Sequence, residues 1–144
     1  MPNASEPSST IATDPTITVV AAVIEANDAV LITRRLRGTH LEGLWEFPGG
    51  KVHDGESHDA ALCREIREEL DAAIDIHALL LSTTHRYPDV VVVLHFYRCS
   101  LRGEARPLLG QEMRWVKPSE LPTLPFPAAD EELIALLAQS RHRH

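Results

Sequence analysis

The sequence predicts an α/β fold with helices on both faces of a mixed β-sheet. Runs rich in β-branched residues, bounded by turn residues, indicate strands near the N-terminus and around residue 93. Residues 57–70 and 128–138 instead place apolar side chains at the spacing of one helix face. Strands, a helix, further strands and a closing helix, in this order, are typical of an α/β/α sandwich.

The first predicted elements form a β-hairpin. Residues 17–25 and 29–35 are two strand-like runs, and Asn27 and Asp28 between them are a turn signal. Residues 38–51 contain an aromatic and proline stretch followed by a pair of glycines, which favours a loop or short strands over a helix.

The next predicted element is a helix over residues 57–70. Leu62, Ile66 and Leu70 fall at positions i, i+4 and i+8, so their side chains share one face. Ser57 precedes this stripe and is a suitable N-cap, because its hydroxyl can accept a hydrogen bond from a free backbone amide of the first turn.

Three further elements complete the predicted fold. Residues 90–94 are five consecutive apolar residues, which predicts a central strand that is buried on both faces. Residues 113–116 are a short strand candidate, and residues 128–138 form the closing helix.

The composition is that of one globular domain. The chain has 144 residues, of which 44% are hydrophobic and 24% are charged, and this length is sufficient for one hydrophobic core. Residues 1–15 are rich in Ser, Thr and Pro, so we expect a disordered tail there. Residues 16–140 are predicted to form a single domain.

Charge, apolar runs and cysteine content argue against several classes of protein. A formal net charge of −7, from 14 basic and 21 acidic side chains, argues against a duplex nucleic-acid partner. No apolar run approaches the ~20 residues of a membrane span, and residues 1–15 have no basic residue that would suit a targeting signal. Cys63 and Cys99 are predicted to be buried free thiols. We therefore expect a cytoplasmic protein without a membrane partner.

The predicted helix 57–70 carries an acidic cluster with two interpretations. Glu65, Glu68 and Glu69 lie at i, i+3 and i+4, so their carboxylates converge on one side of the helix. Each like-charged pair costs roughly 0.2–0.5 kcal/mol in an isolated helix. The cluster is either a solvated acidic face relieved by Arg64 and Arg67, or a cradle for a hard divalent cation that is shared with substrate phosphates.

The surrounding spacing resembles the Nudix box and favours the second interpretation. Gly50 is followed after five residues by Glu56, and after seven more by the segment Arg-Glu-Ile-Arg-Glu-Glu, residues 64–69. The resemblance runs from about residue 17 to residue 137 and is strongest to the MutT-type branch, through residues 32–35 and 45–51. It implies a Nudix α/β/α sandwich with a mixed sheet and a nucleoside triphosphate pyrophosphohydrolase.

The resemblance also implies roles for individual residues. Glu65, Glu68 and Glu69 would be ligands of Mg²⁺, for which Mn²⁺ can substitute, and the Gly50 carbonyl would be a further ligand. Glu56 would pair with Arg64. The substrate would lie against Arg35, Phe47, Lys51 and Asp130. The positively charged side chains of Arg35 and Lys51 would lie near its phosphates.

Two positions depart from the family pattern. Asp71 stands where the box has its last glycine, and aspartate adopts the left-handed cap conformation less freely. Leu109 stands where MutT-type relatives can carry a glutamate that serves as the catalytic base. Because leucine takes no proton, the identity of the catalytic base remains open among Glu68, Glu69 and Glu112.

The preferred nucleotide also remains open at this point. An ionised Asp130 accepts hydrogen bonds only, which suits the two donors on the guanine edge, whereas some relatives with aspartate in this motif act on CTP or its 5-substituted forms. We therefore expect an oxidised purine such as 8-oxo-dGTP, with CTP or a 5-substituted CTP as the alternative. A non-catalytic module that recognises damaged bases and an ADP-ribose or dinucleoside polyphosphate hydrolase are further alternatives. A nucleotide substrate is the expected binding partner. The expected oligomeric state is a monomer or a homodimer.

Overall fold

The computed structural model describes residues 14–142, with side chains described for residues 14–139. The predicted disordered tail, residues 1–15, lies outside this range except for Asp14 and Pro15. Within the described residues, no helix combines the length and the apolar character that a membrane crossing requires.

The described chain forms one seven-stranded mixed sheet and two α-helices. The strands are β1 Thr16–Ala26, β2 Ala29–Arg34, β3 Trp45–Glu46, β4 Gly49–Lys51, β5 Ala73–Arg86, β6 Val91–Arg102 and β7 Met113–Val116. The helices are α1 His58–Leu70 and α2 Glu131–His142, and 3₁₀ turns cover Pro118–Thr123 and Ala128–Asp130. The main path through the sheet is β3-β2-β1-β6-β5, with β4 paired to β1 and β7 to β2.

The helices lie on opposite faces of this sheet, as the sequence predicts. One buried cluster joins Val23, Ile32 and Phe96 to Leu133 and Leu137 of α2. The other cluster joins strand residues such as Val20 and Ile24 to the α1 residues Leu62, Ile66 and Leu70. The β1–β6 pairing is parallel and the other pairings are antiparallel, which makes the sheet mixed.

The predicted hairpin is confirmed, together with its turn. Glu25 pairs with Val30 and Ala26 with Ala29, so only Asn27 and Asp28 connect the two strands. Both residues have positive φ, 52° and 65°. Asparagine and aspartate tolerate this conformation better than other residues with side chains, and it matches the twist of the strands.

The predicted central strand is confirmed in position but not in full burial. Strand β6 lies between β1 and β5, whereas Val92, Val93 and Leu94 are only partly buried. Val92 and Leu94 line an open cleft, which explains their remaining exposure. The cysteine prediction is likewise half right, because Cys99 is buried and Cys63 is exposed.

Strand β5 was not predicted from the sequence. Its pairing with β6 shifts register between Ile76 and Ala78 and again between Leu79 and Leu81. These irregularities interrupt the alternation that identifies a strand, and an edge position leaves many of its side chains exposed. Helix α2 begins at Glu131 rather than at residue 128, because the three preceding residues form a 3₁₀ turn.

Candidate active site

Helix α1 is capped at its N-terminus by Ser57, as the sequence predicts, and at its C-terminus by Asp71. The Ser57 hydroxyl accepts a hydrogen bond from the Ala60 amide at 3.1 Å. Asp71 adopts the left-handed conformation, with φ 52° and ψ 43°, and its amide donates to the Arg67 carbonyl. Aspartate therefore takes over the capping position that the box assigns to glycine.

The glycines of β4 allow the helix and the sheet to approach closely. A Cβ atom on Gly50 would lie 2.5 and 2.6 Å from the two carboxylate oxygens of Glu65. A Cβ atom on Gly49 would lie 2.7 Å from the Ala21 Cα atom of the adjacent strand β1. The absence of a side chain at both positions places the Glu65 carboxylate directly against the Gly50 backbone.

Three carboxyl groups crowd together beside these glycines. Burial raises the pKa of Glu69 to about 9. A hydrogen bond from its carboxyl group to Glu65 and the negative charges of Glu65 and Glu46 also raise this pKa, whereas a hydrogen bond from the Gly49 amide lowers it. Burial also raises the pKa of Glu46, partly offset by Arg35. A cation at this point would relieve the repulsion, because it favours the ionised carboxylates.

The acidic cluster is only partly assembled into a cation site. Glu68 is on the rim, with 60% of its side chain exposed and its carboxylate 3.4 Å from Arg64 Nη1. Among the side chains described, residues 14–139, no three His, Cys, Asp or Glu form a ready metal-binding group. The oxygen donors of Glu65, Glu69 and the Gly50 backbone suit a hard divalent cation, which commonly completes its coordination with water and substrate phosphate.

Arg64 fixes the loop before α1 against the helix. Its Nε donates to Glu56 Oε2 at 2.7 Å, and its Nη2 donates to Glu56 Oε1 at 3.1 Å and to the Lys51 carbonyl at 2.9 Å. Hydrogen bonds from Arg64 and from the His53 amide lower the pKa of Glu56 to about 2. The expected Glu56–Arg64 pair is present, and Arg64 Nη1 also donates to Glu65 at 2.9 Å.

A cleft of about 280 Å³ extends from these glycines to the start of α2. Phe47 forms one wall and stacks on Phe126, with ring centroids 5.4 Å apart. Arg35, Lys51 and Asp130 also line this cleft. Four of the residues that the resemblance implied for substrate therefore share one cavity.

Asp130 lies where the cleft reaches the start of α2. It is only 5% exposed, and no amide or side chain within residues 14–139 donates a hydrogen bond to its carboxyl group. Burial, with repulsion from Glu46, raises its pKa to about 7. A helix-capping role receives no support from these contacts, and the carboxyl group remains available to a ligand.

Sequence reasoning missed Glu46. This residue lies between the buried aromatic residues Trp45 and Phe47 on β3, and its carboxylate is 3.3 Å from Arg35 Nη1. Glu46 and Arg35 line both the main cleft and a smaller cleft of about 150 Å³ that contains Glu69. An acidic residue held between two buried aromatic residues was the available signal.

The β6–β7 loop, residues 103–112, borders the smaller cleft. Leu109 and Gln111 line this cleft together with Glu69. Glu112 instead lies 3.3 Å from Arg34 and 3.5 Å from Arg114 in two exposed ion pairs. The structure thus brings Leu109, but not Glu112, into the wall beside Glu69.

The acidic cluster and the cleft beside it form one site on an α/β sandwich, and comparison with known proteins identifies the family. The NUDIX domain model matches residues 19–136, so the chain belongs to the Nudix family and is a Nudix hydrolase. Enzymes of this family generally use a divalent metal ion.

Relatives of the chain agree with this assignment. A CTP pyrophosphohydrolase of Escherichia coli is 34% identical over 119 residues, which cover 82% of this chain and 88% of the relative. An 8-oxo-dGTP diphosphatase of the same organism is 32% identical, with 82% and 92% covered. The MutT Nudix hydrolase of Burkholderia pseudomallei has a TM-score of 0.75 at 28% identity, with 83% and 96% covered. These names favour an enzyme over a non-catalytic recognition module.

Proposed function

We propose that this Nudix hydrolase cleaves a nucleoside triphosphate to the monophosphate and pyrophosphate, with 8-oxo-dGTP as the preferred substrate. The observation that carries the proposal is the crowded Glu65–Glu69 pair against Gly50, next to a cleft with an aromatic wall and a buried carboxyl group. The acidic cluster suits a metal-bridged phosphate chain, and the cleft suits a base.

Magnesium is the cation that we propose, with manganese as a substitute. Glu65, Glu68, Glu69 and the Gly50 carbonyl would hold it, because hard cations prefer oxygen ligands. When bound, such an ion neutralises charge on the phosphate chain and lowers the pKa of a water ligand.

Arg35 and Lys51 are proposed to bind the phosphates. Both line the main cleft, and Arg35 is oriented by Glu46 at 3.3 Å and by donation from its Nε to the His40 carbonyl at 2.9 Å. A guanidinium held in this way presents its remaining donors to phosphate oxygens.

Phe47 and Asp130 are proposed to recognise the base. The stacked Phe47 offers an apolar wall, and an ionised Asp130 accepts from the N1–H and N2–H₂ donors of guanine. This pairing supports an oxidised guanine nucleotide as the first candidate.

CTP, or a 5-substituted CTP, is the second candidate because of the Asp130 pKa. With a pKa of about 7, part of the population has a neutral carboxyl group, which presents one donor and one acceptor. Cytosine offers the complementary acceptor N3 and donor N4–H₂. A relative named CTP pyrophosphohydrolase supports the same alternative.

Proton removal from the attacking water is proposed to involve the box glutamates rather than Glu112. Glu69 lines the smaller cleft, whereas the Glu112 carboxylate is engaged by Arg34 and Arg114. Glu68 and Glu69 are therefore the better supported candidates for the base.

We also propose a cytoplasmic location and a single domain over residues 16–140. Both cysteines are free thiols, the state that a reducing compartment maintains. A monomer or homodimer remains the predicted assembly.

A substrate panel tests the proposed function. Turnover of 8-oxo-dGTP, dGTP, CTP, dCTP, ADP-ribose and a dinucleoside polyphosphate is measured from the chromatographically separated nucleotide products, with magnesium and with excess chelator. Pyrophosphate release is measured as well for the four triphosphates. We expect the highest kcat/KM for 8-oxo-dGTP and no turnover in chelator. Preference for ADP-ribose, or undiminished turnover in chelator, would contradict the proposal.

A further inference from the structure

The last turn of α1 is held by the β6–β7 loop. The Arg106 amide donates to the Leu70 carbonyl at 2.8 Å, and the Leu108 amide donates to the Glu69 carbonyl at 3.0 Å. The carbonyls of a last helical turn have no partner within the helix. Here a distant segment of the chain supplies the missing donors.

Gln111 connects this loop to Glu69 through its side chain. Its Nε2 donates to the Glu69 carbonyl at 3.1 Å, and its Oε1 accepts from the Leu109 amide at 2.9 Å. Gln111 is only 7% exposed and is one of three buried polar residues within residues 14–139. Both ends of its amide are satisfied, as a buried polar group requires.

The position of this amide matters because Glu69 points into the acidic cluster. Two donors on its carbonyl, Leu108 N and Gln111 Nε2, fix the backbone from which the side chain extends. Gln111 also lines the smaller cleft beside Glu69. Groups that orient a metal ligand influence the affinity of the site although they do not touch the ion.

We propose that Gln111 is a positioning residue whose amide holds the Glu69 backbone in the orientation that the metal site requires. The inference rests on the proposed function, because it takes Glu69 as a metal ligand. The Gln111 side chain is hydrogen-bonded both to the loop, at the Leu109 amide, and to the helix, at the Glu69 carbonyl. Its loss should therefore loosen the backbone of the last helical turn at Glu69 more than at Leu70.

Gln111→Met tests the inference, because methionine has a similar length and neither donates nor accepts strongly. Mn²⁺ binding to the full chain without nucleotide is measured by electron paramagnetic resonance, together with the metal and nucleotide dependence of turnover and the melting temperature. We expect an Mn²⁺ dissociation constant about tenfold or more higher than in the wild type. The KM for nucleotide at saturating metal should stay unchanged, a split that a loss of packing alone would not produce.

Arg106→Ala is the matched control. It removes the ion pair with Asp71 at the same helix end but leaves both hydrogen bonds on the Glu69 carbonyl. We expect unchanged Mn²⁺ affinity in this variant. An equal loss of affinity in both variants would overturn the proposal in favour of general loosening of the helix end.

Two further outcomes are decisive. If Gln111→Met lowers the melting temperature without changing Mn²⁺ affinity, Gln111 is a structural residue only and the inference fails. If the Met variant does not fold, Gln111→Asn keeps the amide but cannot span both partners, and it should weaken Mn²⁺ binding in the same direction. A wild-type protein that neither binds Mn²⁺ nor hydrolyses nucleotides would instead refute the proposed function.

Discussion

Replacing Gly50 by alanine should disable the enzyme while the fold survives. The added Cβ would lie 2.5 and 2.6 Å from the Glu65 oxygens, whereas an unstrained contact needs about 3.5 Å. The Glu65 carboxylate must therefore withdraw by about 1 Å, and a displacement of this size at a reacting centre costs about 10²-fold in rate. The backbone of Gly50 does not have positive φ, so alanine introduces no strain of its own.

The assay combines pyrophosphate release under saturating magnesium with urea unfolding. We expect kcat to fall by about 10²-fold and the free energy of unfolding to change by no more than about 1 kcal/mol, because replacing a glycine also lowers the entropy of the unfolded chain.

A double-mutant cycle isolates the cause. In a Glu65→Ala background no carboxylate opposes the new Cβ, so adding Gly50→Ala should cost little further turnover. If Gly50→Ala retains wild-type turnover, or if its cost is the same with and without the Glu65 carboxylate, the assignment of this contact is wrong.

The remaining predictions concern the acidic cluster, recognition of the nucleobase by Asp130, and the β6–β7 loop. Glu69→Gln should lower turnover by about 10²-fold or more without destabilising the metal-free protein in chemical unfolding, because it removes a crowded carboxyl group. Asp130→Asn should change the ratio of kcat/KM for 8-oxo-dGTP and CTP. In the wild type this ratio should rise from pH 6 to pH 8, as Asp130, with a pKa of about 7, ionises; an unchanged ratio in both experiments returns Asp130 to a structural role. Leu109→Glu and Glu112→Gln should both change turnover little, because the proposed catalytic base is a box glutamate; a fall of about 10²-fold in steady-state turnover of Glu112→Gln would instead identify Glu112 as the catalytic base.

Local sequence signals predicted the parts of the site that neighbouring residues create. Ser57, Asp71 and the glutamates of α1 lie on one helix, so their spacing alone fixes which side chains share a face. The Glu56–Arg64 contact was also expected, because the box resemblance links the loop to the helix. Asn27 and Asp28 specified the hairpin turn for a similar local reason.

Features that depend on distant segments were not predictable in the same way. The crowding of Glu46 against Glu69 requires a residue of β3 and a residue of α1 to line the same cleft, and no sequence spacing encodes that distance. Gln111 likewise acquires its two partners only after the β6–β7 loop reaches the end of α1. Strand β5 escaped detection because its bulges break the period on which strand recognition depends.

The position of bond cleavage tests the central proposal most directly. The enzyme is supplied with 8-oxo-dGTP and magnesium in ¹⁸O-labelled water, and the products are separated and analysed by mass spectrometry. The resemblance to the MutT-type branch implies that water attacks the β-phosphorus, and this predicts label in pyrophosphate and none in the nucleoside monophosphate. Label in the monophosphate, release of orthophosphate, or full turnover in excess chelator would contradict this account of the Glu65–Glu69 site.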